Sequence, residues 1–304
     1  MRGTYTKLLS DTSEYLLIVK NILDIKERER IKVEQFCDED INYNRTYNVF
    51  KITIDRISYL LKKSGIDEVN VYKTYLQNQD LPVPRYYGST NYKDELWLLI
   101  EYIEGNDLRD FTLEYAHACA TSIVNIMNRY WKVADTTDPR FKKYYARITK
   151  RSLCLEKEPL LQQAYAIFLN RQLTCPLTLS NGDFLQFNGI FKNGKVIVID
   201  WGFGGIMPYS LDIARLIAHG SEDKKAFPFY MNDTYRKIYI DDIYKQLNET
   251  IARDQFEYDI KLSLLNEYIE FIERELNDET IDRDEGFTFY YDHAQKIAKE
   301  ILDR

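Results

Sequence analysis

The tightest constraint on this chain lies near its middle, in residues 181–202, where two apolar runs are pinned into a hairpin with acidic and amide residues at both ends. Asn193-Gly194 separates Ile190-Phe191 from Val196-Ile197-Val198-Ile199, and such a pair is a strong short-range signal for a two-residue turn between strands. Ahead of the hairpin runs Asn181-Gly182-Asp183-Phe184-Leu185-Gln186-Phe187-Asn188, and behind it Asp200-Trp201-Gly202. Asp183, Asn188 and Asp200 can thus face one cavity. These are the parts that phosphoryl transfer from a nucleotide requires: a carboxylate to take the acceptor's proton and hard oxygen ligands for Mg²⁺. An Asp and an Asn at that spacing recur by chance in a chain this rich in both. The glycine before Asp183, the hairpin and the closing Asp-x-Gly are separate requirements, and together they discriminate. Turn capping is the alternative use of Asp183 and Asn188.

Around this block the periodicities divide the chain. Apolar residues at helical spacing (Tyr15, Leu16, Val19, Ile22, Leu23) predict a helix over residues 11–30, ending in Lys26-Glu27-Arg28-Glu29-Arg30. Strand-like runs at 31–37, 47–54 and 57–62, with a turn at Asp55-Arg56, predict a three-stranded meander. Residues 67–78 return to helical spacing, Pro82-Val83-Pro84 breaks it, and a strand pair covers 85–90 and 96–102. Past Glu104-Gly105-Asn106-Asp107 helical periods dominate. The expected fold class is α+β, with an antiparallel β-rich portion over residues 1–103 and a mainly helical portion over 104–304 that carries the hairpin.

Composition excludes several functions. With 304 residues the chain is long enough for two domains or one two-lobed enzyme. A formal net charge of −7 argues against a nucleic-acid partner, which calls for a basic surface. No apolar run reaches membrane-spanning length and no signal-peptide pattern follows Met1, so a soluble cytoplasmic protein is expected, with no membrane partner. The four cysteines (Cys37, Cys119, Cys154, Cys175) form no Cys-x-x-Cys pair and read as buried thiols. His117-Ala118-Cys119 has no further ligand at zinc spacing and reads as core.

The 181–202 block resembles the aminoglycoside phosphotransferase and choline kinase-like family, relatives of the protein kinases. Its catalytic loop typically reads His-Gly-Asp-x-x-x-x-Asn, and its metal carboxylate opens an Asp-x-Gly-type triplet. The resemblance implies a protein kinase-like two-lobed fold, with an antiparallel β-sheet N-lobe for the nucleotide and a mainly helical C-lobe for catalysis and the acceptor. It implies Asp183 as the catalytic base and Asn188 and Asp200 as Mg²⁺ ligands. It continues through Ser210-Leu211-Asp212-Ile213-Ala214-Arg215-Leu216, where Asp212 looks like a structural residue capping a helix. Tyr59-Leu60-Leu61-Lys62 resembles the strand that ends in the nucleotide lysine, and Asp67-Glu68-Val69 the helix whose Glu pairs with it. Lys62 and Glu68 are then the phosphate-binding pair, with Lys63 and Lys51 as alternatives to Lys62. Leu98 to Gly105 resembles the hinge, where backbone groups of Glu101 and Ile103 would hold the adenine edge of ATP, or of GTP in its place. Two departures stand out: Asn181 replaces the family's usual His, and no glycine lies between the first two meander strands. An amide can supply the donor that an imidazole would.

The acceptor depends on the C-terminal helices. Residues 264–287 carry nine acids against Arg274 and Arg283. Leu265, Tyr268, Ile269, Ile272 and Leu276 form the apolar stripe, leaving Glu267, Glu270 and Glu273 beside it as a solvated face or as an attractor for a polycation. The run Phe287-Thr288-Phe289-Tyr290-Tyr291 is either packing or part of a cage for a quaternary ammonium. The sequence therefore points to an ATP- and Mg²⁺-dependent phosphotransferase for a small-molecule hydroxyl, an aminoglycoside or similar amino sugar ahead of choline or ethanolamine. A catalytically silent kinase-like binding protein is the alternative suggested by Asn181 and the missing glycines. A protein kinase is disfavoured, because Gly182 stands where His-Arg-Asp has its Arg and no Ala-Pro-Glu follows Asp200.

Overall fold

The computed structural model describes residues 3–25, 31–39, 44–132, 136–222, 229–278 and 280–304. The charged run 26–30, residues 40–43 and Glu279 lie outside the described residues. The chain divides into two compact units, Met1–Glu104 and Gly105–Arg304.

The first unit is built on one antiparallel sheet: β1 (Gly3–Leu8), β2 (Ile31–Glu39), β3 (Asn44–Ile54), β4 (Ile57–Lys63), β5 (Tyr86–Tyr92) and β6 (Glu95–Glu101), in the order β1-β2-β3-β4-β6-β5. The expected meander is β2-β3-β4, turning at Asp55 with φ 55°. Strand β1 was not expected. It pairs with β2 from Gly3↔Glu39 to Leu8↔Glu34, yet Tyr5 and Leu8 are exposed, so no buried stripe marks it in the sequence. Helix α1 (Ser13–Lys20) lays Ile18 and Val19 on Val33, Phe50, Ile52, Leu61, Trp97 and Leu99. It ends well before residue 30. Ile22 and Leu23 pack on the same cluster from the turn that follows, so their spacing mimics another helical turn. Helix α2 (Ile66–Val71) passes into a π-helical turn, Tyr72–Leu76, closed by Gln77 N–H to the Tyr72 carbonyl at 2.8 Å. Tyr72 is buried there and stacks on Tyr86 with centroids 5.9 Å apart.

The second unit is mainly helical. Its small sheets include β7 (Asn106–Asp107) with β9 (Gly189–Lys192) and β10 (Lys195–Val198), and β8 (Leu177–Ser180) with β11 (Gly205–Pro208). Around them lie α3 (Leu113–Tyr130), α4 (Pro139–Arg151), α5 (Pro159–Gln172), α6 (Ser210–Ala218), α7 (Asp233–Gln246), α8 (Arg253–Asn277) and α9 (Glu285–Leu302). Side chains of Thr112, Asn232 and Asp284 accept the exposed N–H groups at the starts of α3, α7 and α9. Helix α8 packs against α5, α6 and α9 and buries Leu265, Tyr268, Ile269 and Ile272, as its periodicity predicts. It also buries Asn266 and Glu267, which the periodicity does not predict. Among the described residues no helix is long and apolar enough to cross a membrane.

Candidate active site

The loop after β8 is fastened from three sides. Gly182 adopts φ 75°, and a Cβ there would lie 2.5 Å from the Phe203 carbonyl oxygen, so only glycine fits. Asp212 is buried on α6 and accepts from Ser180 Oγ at 2.8 Å, Asn181 N–H at 2.7 Å and Gly182 N–H at 3.0 Å. The expected helix cap is therefore corrected: Asp212 sits inside α6, whose N-cap is Tyr209, and holds the preceding loop instead. Burial raises its carboxyl to about 6, against the pull of those three hydrogen bonds. Asn181 is also buried. Its Nδ2 donates to the carbonyls of Ile199 and Asp200, each at 3.1 Å, and its Oδ1 accepts from Asp183 N–H at 3.2 Å. The amide that departs from the family pattern thus ties the start of the loop to the end of β10.

The hairpin completes the site. Asn193 and Gly194 take φ 51° and 77° in the turn between β9 and β10. Asn188 donates from Nδ2 to the Asp183 carbonyl at 2.6 Å and to Asp183 Oδ2 at 3.2 Å, and its own carbonyl accepts from Ile199 N–H at 2.9 Å. Asp200 follows with φ 55°, a left-handed conformation costing a non-glycine residue about 1–3 kcal/mol unless its surroundings fix it. Here they do: Asn181 holds its carbonyl, and Trp201, fully buried, donates to the Val198 carbonyl at 3.0 Å. Asp183, Asn188 and Asp200 are brought together, and the Asp200 charge is close enough to act on Asp183.

Arg215, one helical turn beyond Asp212, had no role in the sequence reading. Its Nε and Nη2 both donate to Asp183 Oδ1, at 3.1 and 2.7 Å, and its Nη1 donates to Glu267 Oε2 at 2.7 Å. Burial raises the Asp183 carboxyl, Arg215 pulls it down, and Asp200 and Glu267 push it up again, leaving it above its ordinary value. Burial acts on Glu267 in the same sense, but Arg215 and His219 hold it well below the usual carboxylate range. His219 Nδ1 meets the Tyr290 hydroxyl at 2.8 Å, and its Nε2 lies 3.7 Å from Glu267 Oε2. The i, i+3 spacing of Asp212 and Arg215 on one face of α6 is the one local signal that could have marked it, and it passed unused.

The acidic stripe of α8 differs from both expectations. Glu267 is buried, Glu270 lies 2.8 Å from Arg151 Nη2, and Arg151 Nε donates to Glu273 at 2.9 Å. All three carboxylates are ion-paired within the unit. In the aromatic run, Phe287 stacks on Tyr291 with centroids 5.4 Å apart and carries Arg283 over its ring at 4.7 Å. Tyr290 lies 4.9 Å from Phe271, whose ring takes Arg215 at 5.3 Å.

In the first unit, Lys62 Nζ donates to Glu68 Oε1 at 2.9 Å, and Ser64 Oγ donates to Glu68 Oε2 at 2.7 Å. Both members of the pair are largely buried, with side chains 14% and 4% exposed. Successive strand residues point to opposite faces, so Lys63 instead meets Glu95 at the surface, while Lys51 lies over the Tyr102 ring at 4.3 Å. Glu101 ends β6 with its N–H donated to the Arg85 carbonyl at 2.8 Å, and Ile103 lies two residues beyond. The four cysteines are buried thiols, and His117 pairs with Asp242. Among the described residues no cluster of three or more His, Cys, Asp or Glu side chains could hold a metal ion. Asn188 and Asp200 offer two hard oxygens, which fits Mg²⁺, a cation that takes few protein ligands and completes its shell with phosphate and water.

A sheet unit with a buried Lys-Glu pair, followed by a helical unit with a Gly-Asp-x4-Asn loop and an Asp-x-Gly turn, defines a kinase-like fold. The profile of the phosphotransferase enzyme family matches residues 48–229, and the chain belongs to that family. Choline kinase from Cryptosporidium parvum Iowa II is similar with a TM-score of 0.61 at 16% identity, over 96% of this chain and 97% of that one. An aminoglycoside phosphotransferase from Alicyclobacillus acidocaldarius gives 0.59 at 12% identity, over 95% of each chain. A thermostable mutant of aminoglycoside phosphotransferase APH(4)-Ia, in ternary complex with ADP and hygromycin B, gives 0.56 at 11% identity over 95% and 98%. At these identities the likeness concerns the fold alone. Among curated proteins no sequence match was found.

Proposed function

We propose that the protein moves the γ-phosphoryl group of ATP to a hydroxyl of a small molecule, with Asp183 as general base. The observation that carries this is the loop itself: Asp183 is fixed beside Asn188 and Asp200 by Asn181 and Asp212. Asp183 orients the acceptor hydroxyl and takes its proton as its oxygen bonds to the γ-phosphorus and the bond from that phosphorus to the bridging oxygen breaks, releasing ADP. Asn188 and Asp200 hold Mg²⁺, which when bound neutralises charge on the phosphates. Lys62, fixed by Glu68, sets a point charge on the α- and β-phosphates. The Glu101 carbonyl and the Ile103 backbone take the adenine edge of ATP, or the purine edge of GTP.

The acceptor keeps the order the sequence suggested, on different grounds. The α8 carboxylates do not form a free acidic face. Asp183, Glu267, Glu270 and Glu273 nonetheless outnumber the two arginines that pair with them, Arg151 and Arg215, which favours a cationic alcohol. An amino sugar comes first, then choline or ethanolamine. The hydrogen bonds made by Asn181 support an active enzyme over a silent one.

A coupled ATP-turnover screen over aminoglycosides, choline, ethanolamine and neutral sugars tests this. Asp183→Ala is expected to lower the best turnover by about 10²–10⁴-fold. If no acceptor raises turnover above the Asp183→Ala background, the proposal fails and the silent protein takes its place.

A further inference from the structure

The side chain of Arg215 is 12% exposed, and its guanidinium joins a residue of the loop to a residue of α8. Toward the loop it spends two donors on one oxygen of Asp183, Oδ1. The other oxygen, Oδ2, accepts from Asn188 Nδ2 at 3.2 Å, and the side chain is 21% exposed. A carboxylate held through one oxygen by a planar fork cannot rotate about its Cβ–Cγ bond without breaking both bonds. Toward α8 the third donor is fixed by Glu267, itself 2% exposed and faced by His219, which meets Tyr290 of α9. The guanidinium plane also lies over Phe271. Four polar residues, Arg215 of α6, His219 just beyond it, Glu267 of α8 and Tyr290 of α9, thus line up behind Asp183.

We propose that Arg215 is a positioning residue: clamped by Glu267, it locks the Asp183 carboxylate in one rotamer, with Oδ1 immobilised and Oδ2 presented to the acceptor hydroxyl. This rests on Asp183 being the general base, and it adds a device that the loop alone does not contain. Arg215 touches neither donor nor acceptor. Its loss is expected in the turnover number and not in nucleotide affinity, because misplacing a base by a fraction of an ångström slows the step without changing how ATP is held. Lysine at this position keeps the charge but cannot bond Asp183 twice and Glu267 at once. Glu267→Gln keeps the shape and one acceptor oxygen while removing the charge that clamps the guanidinium.

The test uses the full chain, Mg²⁺-ATP and the acceptor from the screen with the highest Asp183-dependent turnover. Arg215→Ala is expected to lower kcat by about 10²-fold while KM and the calorimetric affinity for Mg²⁺-ATP stay near wild type. Added guanidinium ion should restore part of the loss in Arg215→Ala and none in Asp183→Ala, and Arg215→Lys and Glu267→Gln should fall in between. Thermal melts confirm which variants are folded; if Arg215→Ala does not fold, Arg215→Lys and Glu267→Gln carry the comparison. Wild-type kcat in the folded Arg215 and Glu267 variants would overturn the proposal, as would a loss that guanidinium does not touch and that appears equally in KM. Full turnover in Asp183→Ala would instead remove the base assignment, and this inference with it.

Discussion

Asp212 is a buried carboxylate that faces three hydrogen-bond donors, and its pH behaviour follows from that setting. Its folded value of about 6 lies above the ordinary 3.8, so the native state holds the proton more tightly than the unfolded chain. Stability from this group is greatest when it is protonated, falls as pH rises from about 4 to 6 and is flat above, a span of about 3 kcal/mol. Asp212→Asn is neutral throughout. Its stability cost relative to wild type should therefore shrink between pH 4 and 6, as read from urea unfolding at several pH values; a cost independent of pH would contradict the assignment. At this scale the pairing of Lys62 with Glu68 and the meeting of Asp183 with Asn188 were legible because each residue sits at fixed spacing from a glycine, a turn or a strand end. Arg215 and Glu267 were not. Their pairing spans 52 residues of sequence, and no local periodicity reports it.

At the scale of elements, the second unit is stitched by buried ion pairs between helices. Arg151, at the end of α4 and 3% exposed, reaches Glu270, Glu273 and Asn266 of α8. Removing one partner of such a network strands the others, so Arg151→Ala should cost about 3–5 kcal/mol of unfolding free energy. Urea unfolding checks this, and a loss under 1 kcal/mol, the range of exposed pairs, would mean that the network is solvated. Amphipathic spacing predicts the buried stripe of α8 but not its buried acids, because a helix face covered by an arginine on a neighbouring helix looks solvent-facing in sequence. The same limit explains α1, overextended because Ile22 and Leu23 keep packing after the helix stops. It also explains β1, whose residues bury too little to alternate visibly.

For the whole molecule, the order of a β-rich portion followed by a helical one was legible, since strand and helix periods separate cleanly near residue 104. Strand β1 and the π-helical turn after α2 were not, because both depend on pairing and packing between distant segments. The proposed function divides labour inside one loop and hairpin: Asp183 would handle the proton, while Asp200 and Asn188 would hold the metal. Calorimetry of ATP binding, with and without Mg²⁺, in wild type, Asp183→Ala and Asp200→Ala tests it most directly. Asp183→Ala is expected to bind Mg²⁺-ATP like wild type while transferring nothing, and Asp200→Ala to lose the Mg²⁺-dependent part of the affinity. Wild-type Mg²⁺-ATP affinity in Asp200→Ala, or equal weakening in both variants, would contradict it.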